Sequence, residues 1–130
     1  MATEASQPLK DTRVTSADLS AKQYYFVKIA SDGTVDVCSG ATDKPYGVLQ
    51  NKPGSGQEAE IVIIGITKVS ADAALTIGNL IGTSADGQAD AKTPGTDTTE
   101  YVVGVVRVAA GAAGRLATAV VNCASPARAA

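Results

Sequence analysis

Few side chains in this chain of 130 residues could carry chemistry. It contains no histidine, so it lacks the usual general base near neutral pH and the commonest transition-metal ligand. Catalytic systems that pair Ser or Cys with His, and the common zinc sites, are therefore excluded. The remaining candidates are carboxylates, glycine-rich loops and two cysteines.

Four aspartates stand beside two Asp-Gly pairs: Asp32 and Asp36 near one, Asp86 and Asp90 near the other. A calcium loop needs more oxygen ligands at short alternating spacing, and usually an acidic residue that closes it. An Asp-Gly pair between apolar runs is typical of a tight hairpin turn. Turn formation therefore explains the aspartates better than a metal site does.

The glycine-rich loops and the cysteines give no stronger signal. Gly54–Gln57 resembles a phosphate-binding loop only faintly, because no Lys-Ser/Thr follows and the next residues are typical of a strand. Cys38 and Cys123 lie far apart without metal-ligand spacing, and we interpret them as small buried apolar side chains. A disulfide between them is the alternative, which cytosolic synthesis disfavours. The sequence predicts no enzyme, no cofactor and no metal.

Composition limits the partners. The net charge of −2 gives no general attraction to nucleic acid or to anionic lipid. The first ten residues do not resemble a signal peptide, and no window approaches the roughly 18 apolar residues of a membrane span. Aromatic residues are only 4% of the chain, so Val, Ile, Leu and Ala must form a thin core. We expect a single soluble domain that gains stability from association with other chains.

The chain divides into three parts. Residues 1–20 are small and polar without a sustained period, which predicts an extended N-terminal arm; a frayed terminus is the alternative. Residues 21–123 carry the strand patterns, and residues 124–130 read as a flexible C-terminal tail. The middle part is therefore the predicted folded domain.

Strand patterns fill this domain. Tyr24–Val37 contains two apolar runs around Asp32–Gly33 and predicts a hairpin. Gly47–Leu49 predicts a short strand, followed by a glycine turn and one long strand over Glu58–Val69. This long strand is apolar on both faces, which predicts burial partly within the subunit and partly between subunits. Its candidate interface residues, together with two tyrosines that precede Gly-Val strands, are Ile61, Ile63, Ile64, Ile66, Tyr46 and Tyr101.

The two halves of the domain repeat the same order of strands, Asp-Gly turns and Gly-Val strands. The alignment pairs Val14 with Val69, Asp32–Gly33 with Asp86–Gly87, and Gly47–Val48 with Gly104–Val105, with Tyr46 and Tyr101 as the equivalent aromatic residues before the two Gly-Val strands. Two copies are too few for a solenoid or a propeller. The fold class is therefore predicted as all-β: a small β-barrel with an internal two-fold repeat of hairpins, whose closure protects apolar strand edges.

Several of these segments together resemble the capsid decoration, or cement, proteins of tailed bacteriophages. The segments are Y-Y-F-V-K-I-A-S-D-G from Tyr24, G-V-L-Q-N-K-P-G-S-G-Q from Gly47, I-G-N-L-I-G-T-S-A-D-G from Ile77 and Y-V-V-G-V-V from Tyr101. The resemblance covers about residues 20–122. It implies a β-barrel or β-tulip-like domain and a homotrimer that binds the major capsid protein at three-fold or quasi-three-fold positions on the outer capsid surface.

The same resemblance implies a role for the N-terminal arm. In that family an arm often adds to a capsid strand or lies along the shell, and residues 2–13 are the matching segment. The candidate capsid contacts are Thr3, Gln7, Pro8, Leu9 and Arg13. The implied location is the virion, after synthesis in the host cytoplasm, and the implied function is stabilisation of the shell.

Another function of the same fold remains open. A trimeric module that binds carbohydrate or a host surface from a virion would need exposed aromatic platforms, and the chain has only five aromatic residues. A trimeric nucleotide hydrolase is a further alternative, but no motif supports it. The structural role is the function that the sequence favours.

Overall fold

The computed structural model describes residues 2–130; Met1, the first residue of the predicted arm, lies outside them. The described residues form eleven strands and no helix. No membrane-spanning helix is therefore found among them. The strands are β1 (Leu9–Val14), β2 (Phe26–Ile29), β3 (Val35–Val37), β4 (Gly47–Leu49), β5 (Glu58–Ser70), β6 (Leu80–Thr83), β7 (Ala89–Ala91), β8 (Tyr101–Val102), β9 (Gly104–Val108), β10 (Leu116–Asn122) and β11 (Ala127–Arg128).

Nine of these strands form one curled antiparallel sheet. Its order is β3-β2-β4-β5-β10-β9-β6-β7, with β1 also paired to β5, while β8 and β11 pair separately. The two ends of the sheet approach each other where the N–H of Phe26 donates to the carbonyl of Gly87 at 2.7 Å. The predicted all-β, barrel-like fold is confirmed.

Strand β5 is the centre of the sheet. It runs one residue beyond the predicted Glu58–Val69 and is rich in β-branched residues, which suit a pleated surface with neighbours on both edges. One of its edges pairs with β4, and the other pairs with β1 over its first part and with β10 over its second part. The sequence prediction of one long strand is correct.

The two Asp-Gly pairs lie in hairpin turns, as predicted. Asp32–Gly33 joins β2 to β3, and Asp86–Gly87 joins β6 to β7. The φ angles of Gly33 and Gly87 are 86° and 83°, a region that glycine enters without a Cβ clash. The same two-strand unit therefore occurs once in each half of the chain.

The register of the strands confirms the internal repeat. In the first unit (residues 9–63) Val27 pairs with Gly47 and Leu49 with Ile61. In the second unit (residues 65–122) the corresponding pairs are Ile81 with Gly104 and Val106 with Ala119. Equivalent residues therefore occupy equivalent ladder positions, apart from the register shifts at Leu9–Lys10 and Thr118–Ala119.

Two details of the sequence alignment were wrong. Val14 corresponds to Ser70 and not to Val69, because Val14 pairs with the first residue of β5 and Ser70 with the first residue of β10. Tyr46 corresponds to Val103, since each precedes its Gly-Val strand and donates its N–H to the equivalent carbonyl, of Val27 and Ile81. Tyr101 lies in β8, a strand that the first unit does not contain.

The two units close through a composite strand. Asn122 at the end of β10 and Leu9 at the start of β1 both pair with Ile64, so β10 and β1 lie end to end along one edge of β5. Together they form the counterpart of continuous β5. Residues 2–7 and 123–130 extend from this junction and lie outside the repeat, although β11 ties the predicted flexible tail to β8.

The core is one cluster of mainly aliphatic side chains, with Phe26 as its largest buried member. Cys38 and Cys123 lie in it as free thiols, which confirms their interpretation as small apolar side chains. Burial raises the pKa of each thiol to about 12. Both cysteines are therefore protonated and poorly reactive at neutral pH.

Candidate interaction surface

The described residues contain no group of three or more His, Cys, Asp or Glu side chains placed to hold a metal ion. The buried charge that stands out is Lys92, whose side chain is fully covered. Its Nζ donates to the carbonyl of Thr83 at 2.9 Å and pairs with the carboxylates of Glu100 and Asp90. This ion pair ties the loop after β7 back to the hairpin, and the sequence pattern gave no sign of it.

Strand β1 forms part of the predicted arm and is exposed along almost its whole length. Thr15, just beyond it, donates its N–H to Gln57, and backbone groups alternate between the two edges of a strand. The main-chain groups of Lys10, Thr12 and Val14 therefore point away from β5. Among the described residues no strand pairs with Lys10 or Thr12 on this edge, whereas β3 meets its far end through the parallel bridge between Thr15 and Val35. The Thr12 N–H donates to the Asp11 carboxylate at 2.8 Å.

A polar contact fixes β1 to the start of β4. The hydroxyl of Tyr46 donates to the Asp11 carboxylate, which also accepts from Arg13 Nε at 2.9 Å. The Tyr46 hydroxyl and then the Arg13 guanidinium lower the pKa of Asp11, and the Asp11 carboxylate raises the pKa of Tyr46. Tyr46 therefore acts within the subunit, as an anchor for the exposed strand.

Residues 2–7, here called the arm segment, lie along the second part of β5. The N–H of Ala5 donates to the carbonyl of Ile66, whose own N–H donates to Ser6 at 2.8 Å. Thr3 exchanges two hydrogen bonds with the hydroxyl of buried Thr118, at 2.6 and 2.8 Å. The arm segment is thus docked on its own barrel.

The arm segment changes edges of β5 at Gly65. Ile66 binds it on the edge that β4 uses, whereas β1 uses the opposite edge. At the crossing a Cβ on Gly65 would lie 2.7 Å from Gln7 Cα and 2.9 Å from the Ser6 carbonyl oxygen. Only glycine leaves room for the crossing chain.

Tyr24 forms a wall of the same site in an unusual conformation. Its φ of 68° is the one positive value at a non-glycine residue among those described, and the equivalent residue of the second unit is Gly78 with φ 91°. The Tyr24 ring lies 5.7 Å from Lys68 Nζ, which is 4.0 Å from the Glu4 carboxylate. Burial and the nearby Glu4 carboxylate raise the pKa of Tyr24. A side chain at a position that favours glycine indicates a specific use for that side chain.

Together these residues form what we call the arm groove. Its members are Tyr24, Gly65, Ile66, Lys68 and Thr118. A cavity of about 590 Å³ continues it past Ala2 and is lined by Lys68, Arg115 and the turn between β9 and β10.

An apolar row lies across four strands beside the groove. Ile66 pairs with Val120, Val120 with Val105, and Val105 with Leu80, so the four side chains share one face. Val120 is 47% exposed and Val105 41%. In the first unit, exposed Lys10 stands in place of Ile66, and the equivalents of the other three residues, Phe26, Val48 and Val62, are fully buried.

The fold is shared with a phage protein. The chain is similar to the N base of head fiber gp8.5 in bacteriophage phi29, with a TM-score of 0.65 and 18% sequence identity over 88% of this chain and 94% of that one. At this identity the likeness establishes the fold. No protein-family model and no curated protein matches the sequence.

The structure places the sequence-predicted residues in different settings. Thr3 and Gln7 contact the groove, whereas Leu9 and Arg13 are exposed on β1 and follow exposed Pro8. Ile61 and Ile63 are in the chain's own core and are not available to a neighbour. The interface prediction stays a prediction for half-buried Ile64, Ile66, Tyr46 and Tyr101. Tyr101 lies 5.1 Å from the Arg128 guanidinium, in the β8–β11 pair.

Sequence reasoning missed the groove. Its residues come from three distant segments, and none belongs to a recognisable motif. The one signal was Gly65, a glycine inside an otherwise β-branched strand, which often marks a close backbone approach.

Proposed function

We propose that this chain is a structural protein of a phage virion, a decoration protein bound to the outer surface of the capsid. The observation that carries the proposal is the fold shared with the phi29 head fiber base over most of both chains. The sequence segments that resemble capsid cement proteins lie in the strands and turns of that fold. The proposal includes no catalytic step, cofactor or metal.

In this proposal the chain is a homotrimer that ties neighbouring copies of the major capsid protein together at three-fold or quasi-three-fold positions. A single extended contact binds weakly, because ordering a segment costs roughly 1 to 2 kcal/mol per residue. Three linked contacts raise the effective concentration of the second and third, with avidity gains on the order of 10² to 10⁴. Trimerisation would therefore make a small protein an effective brace.

The shell contact that we propose is the open edge of β1. It offers the main-chain groups of Lys10 and the carbonyl of Thr12, flanked by exposed Leu9 and Arg13. Such an edge can accept an extended segment of a partner through main-chain hydrogen bonds. The charged side chains beside it discourage indiscriminate pairing with other strands.

Capsid binding tests this role directly. Heads prepared without the chain are incubated with it, then heated, and the release of DNA is followed. We expect decorated heads to survive to higher temperature than bare heads. Equal survival at full occupancy contradicts a stabilising function, and no detectable occupancy contradicts capsid binding.

The edge is tested with two substitutions at one position. Lys10→Pro removes an N–H that points away from β5, whereas Lys10→Ala keeps it and removes the same charge. If both variants melt like the native chain, we expect Lys10→Pro alone to lose head binding. Equal binding by both variants would move the contact to another surface.

A further inference from the structure

The arm groove is specific to one of two equivalent places in the barrel. The repeat supplies a second set of the same five ladder positions around β1. There Gly78, Leu9, Lys10, Thr12 and Glu60 stand in place of Tyr24, Gly65, Ile66, Lys68 and Thr118.

These differences remove the side-chain contacts that the arm segment makes and the space for its crossing, while the main-chain groups of Lys10 remain like those of Ile66. Leu9 carries a side chain where Gly65 leaves space for Gln7. Thr12 lacks the ammonium group that Lys68 offers to Glu4, and Glu60 lacks the hydroxyl through which Thr118 both donates to and accepts from Thr3. The groove is therefore built for a strand with the sequence of the arm segment.

The arm segment is only lightly joined to its own barrel. It leaves β1 through Gln7-Pro8-Leu9, where the register with β5 is irregular between Leu9 and Lys10. Proline at this point keeps the preceding residue extended and prevents continuous pairing. Residues 3–6 are exposed, so the hydrogen bonds to Ile66 and Thr118 account for most of the docking.

We propose that the arm groove receives the arm segment of a second copy of this chain, so that neighbouring subunits exchange residues 2–7. This inference rests on the self-association that the proposed function includes. Exchange retains every contact of the arm segment and changes only the torsions between Gln7 and Leu9, which makes it a low-cost route to an oligomer.

The apolar row explains why exchange would be favoured. It begins at Ile66, the residue that binds the arm segment, and continues over exposed Val120 and Val105 to Leu80. A second copy held by its arm brings protein surface to this face and removes apolar side chains from water. An arm docked on its own barrel leaves the row exposed.

Mixed disulfide trapping distinguishes exchange from self-docking. One chain carries Thr3→Cys and a short tag, and another carries Thr118→Cys and a longer tag. The two chains are co-expressed and then oxidised. Because each chain holds one cysteine of the pair, a disulfide between residues 3 and 118 forms only if the arm crosses between copies. We expect a covalent product that contains both tags.

Two controls accompany the mixture. Thr3→Cys with Glu60→Cys, the equivalent position of the first unit, is expected to give no product. The unsubstituted chain is also expected to give none, because Cys38 and Cys123 are buried. A chain that carries both Thr3→Cys and Thr118→Cys reports on self-docking.

The outcomes separate the two proposals. If the native chain is an oligomer and the double variant forms only an intrachain disulfide, exchange is wrong and the trimeric function survives. If the native chain is a monomer, both fail. If no disulfide forms at all, removal of residues 2–7 decides: exchange predicts at least tenfold weaker self-association, and unchanged association overturns it.

Discussion

The two units of the barrel have the same pattern of strand pairing but differ in whether equivalent apolar side chains are covered by other parts of the chain. Phe26, Val48 and Val62 form a row that is fully buried, while the equivalent Leu80, Val105 and Val120 form a row that is partly exposed. The backbone pairing is the same in both. A repeated ladder therefore sets where side chains point, but not whether they become core or surface.

The turns account for part of this difference. The Asp86–Gly87 turn lies against the first unit, where the carbonyl of Gly87 accepts a hydrogen bond from the N–H of Phe26. A Cβ added to Gly87 would lie 3.0 Å from the carbonyl oxygen of Cys38. A Cβ on the equivalent Gly33 would instead lie 3.4 Å from the guanidinium of Arg13, a residue of the same unit. The first unit is thus capped by the second, whereas the apolar face of the second unit stays partly open.

The largest expected effect on stability is that of a charge placed in the buried row of the first unit, compared with a charge in the equivalent row of the second. Val62→Asp places a charge in a fully buried site and should cost more than about 4 kcal/mol of unfolding free energy, enough to prevent folding. Val120→Asp, its equivalent, should change the stability of the isolated chain by about 0.5 kcal/mol or less. Urea denaturation measures both, and similar losses would mean that the two rows are covered alike.

A second pair of substitutions tests what the units have in common. A Cβ on Gly47 would lie 2.7 Å from the Val62 carbonyl oxygen, and one on Gly104 would lie 2.6 Å from that of Val120. Gly47→Ala and Gly104→Ala should therefore each lower the unfolding free energy by about 1 to 3 kcal/mol through overpacking. Gly111→Ala is the control, since nothing lies within 4 Å of a Cβ there and its φ is not positive. A large difference between Gly47 and Gly104 would contradict equivalent strand crossings.

The smallest effect concerns a contact of the first unit alone. Tyr46→Phe removes the hydroxyl that binds Asp11 and should cost about 1 to 2 kcal/mol at neutral pH, whereas the equivalent residue Val103 has no such bond. Since the pKa of Asp11 is lowered from 3.8, its contribution is present above that value and lost as pH falls through the folded pKa. Stability measured from pH 6 to 2 should fall less in Tyr46→Phe, and parallel curves would exclude Asp11 as a source of acid sensitivity.

Local patterns were sufficient where the determinant lies within a few residues. Asp32–Gly33 predicted a hairpin turn because positive φ at glycine is a property of that residue. Glu58–Val69 predicted one strand because β-branched residues favour a pleated chain with neighbours. Strand β1 was not predicted, because Leu9–Val14 lack the alternation of apolar and polar residues that indicates a strand. Its position is decided by main-chain pairing with the distant strand β5.

The sequence by itself determined that this is an all-β chain built from two similar units, without histidine chemistry, because residue type and spacing are sufficient to decide those properties. Only the tertiary structure decided that Ile61 faces the chain's own core, that Tyr24 and Lys68 meet Glu4, and that one apolar row is covered while its twin is not. The physical reason is that burial depends on which distant segments pack against a residue, and local periodicity contains no information about those segments.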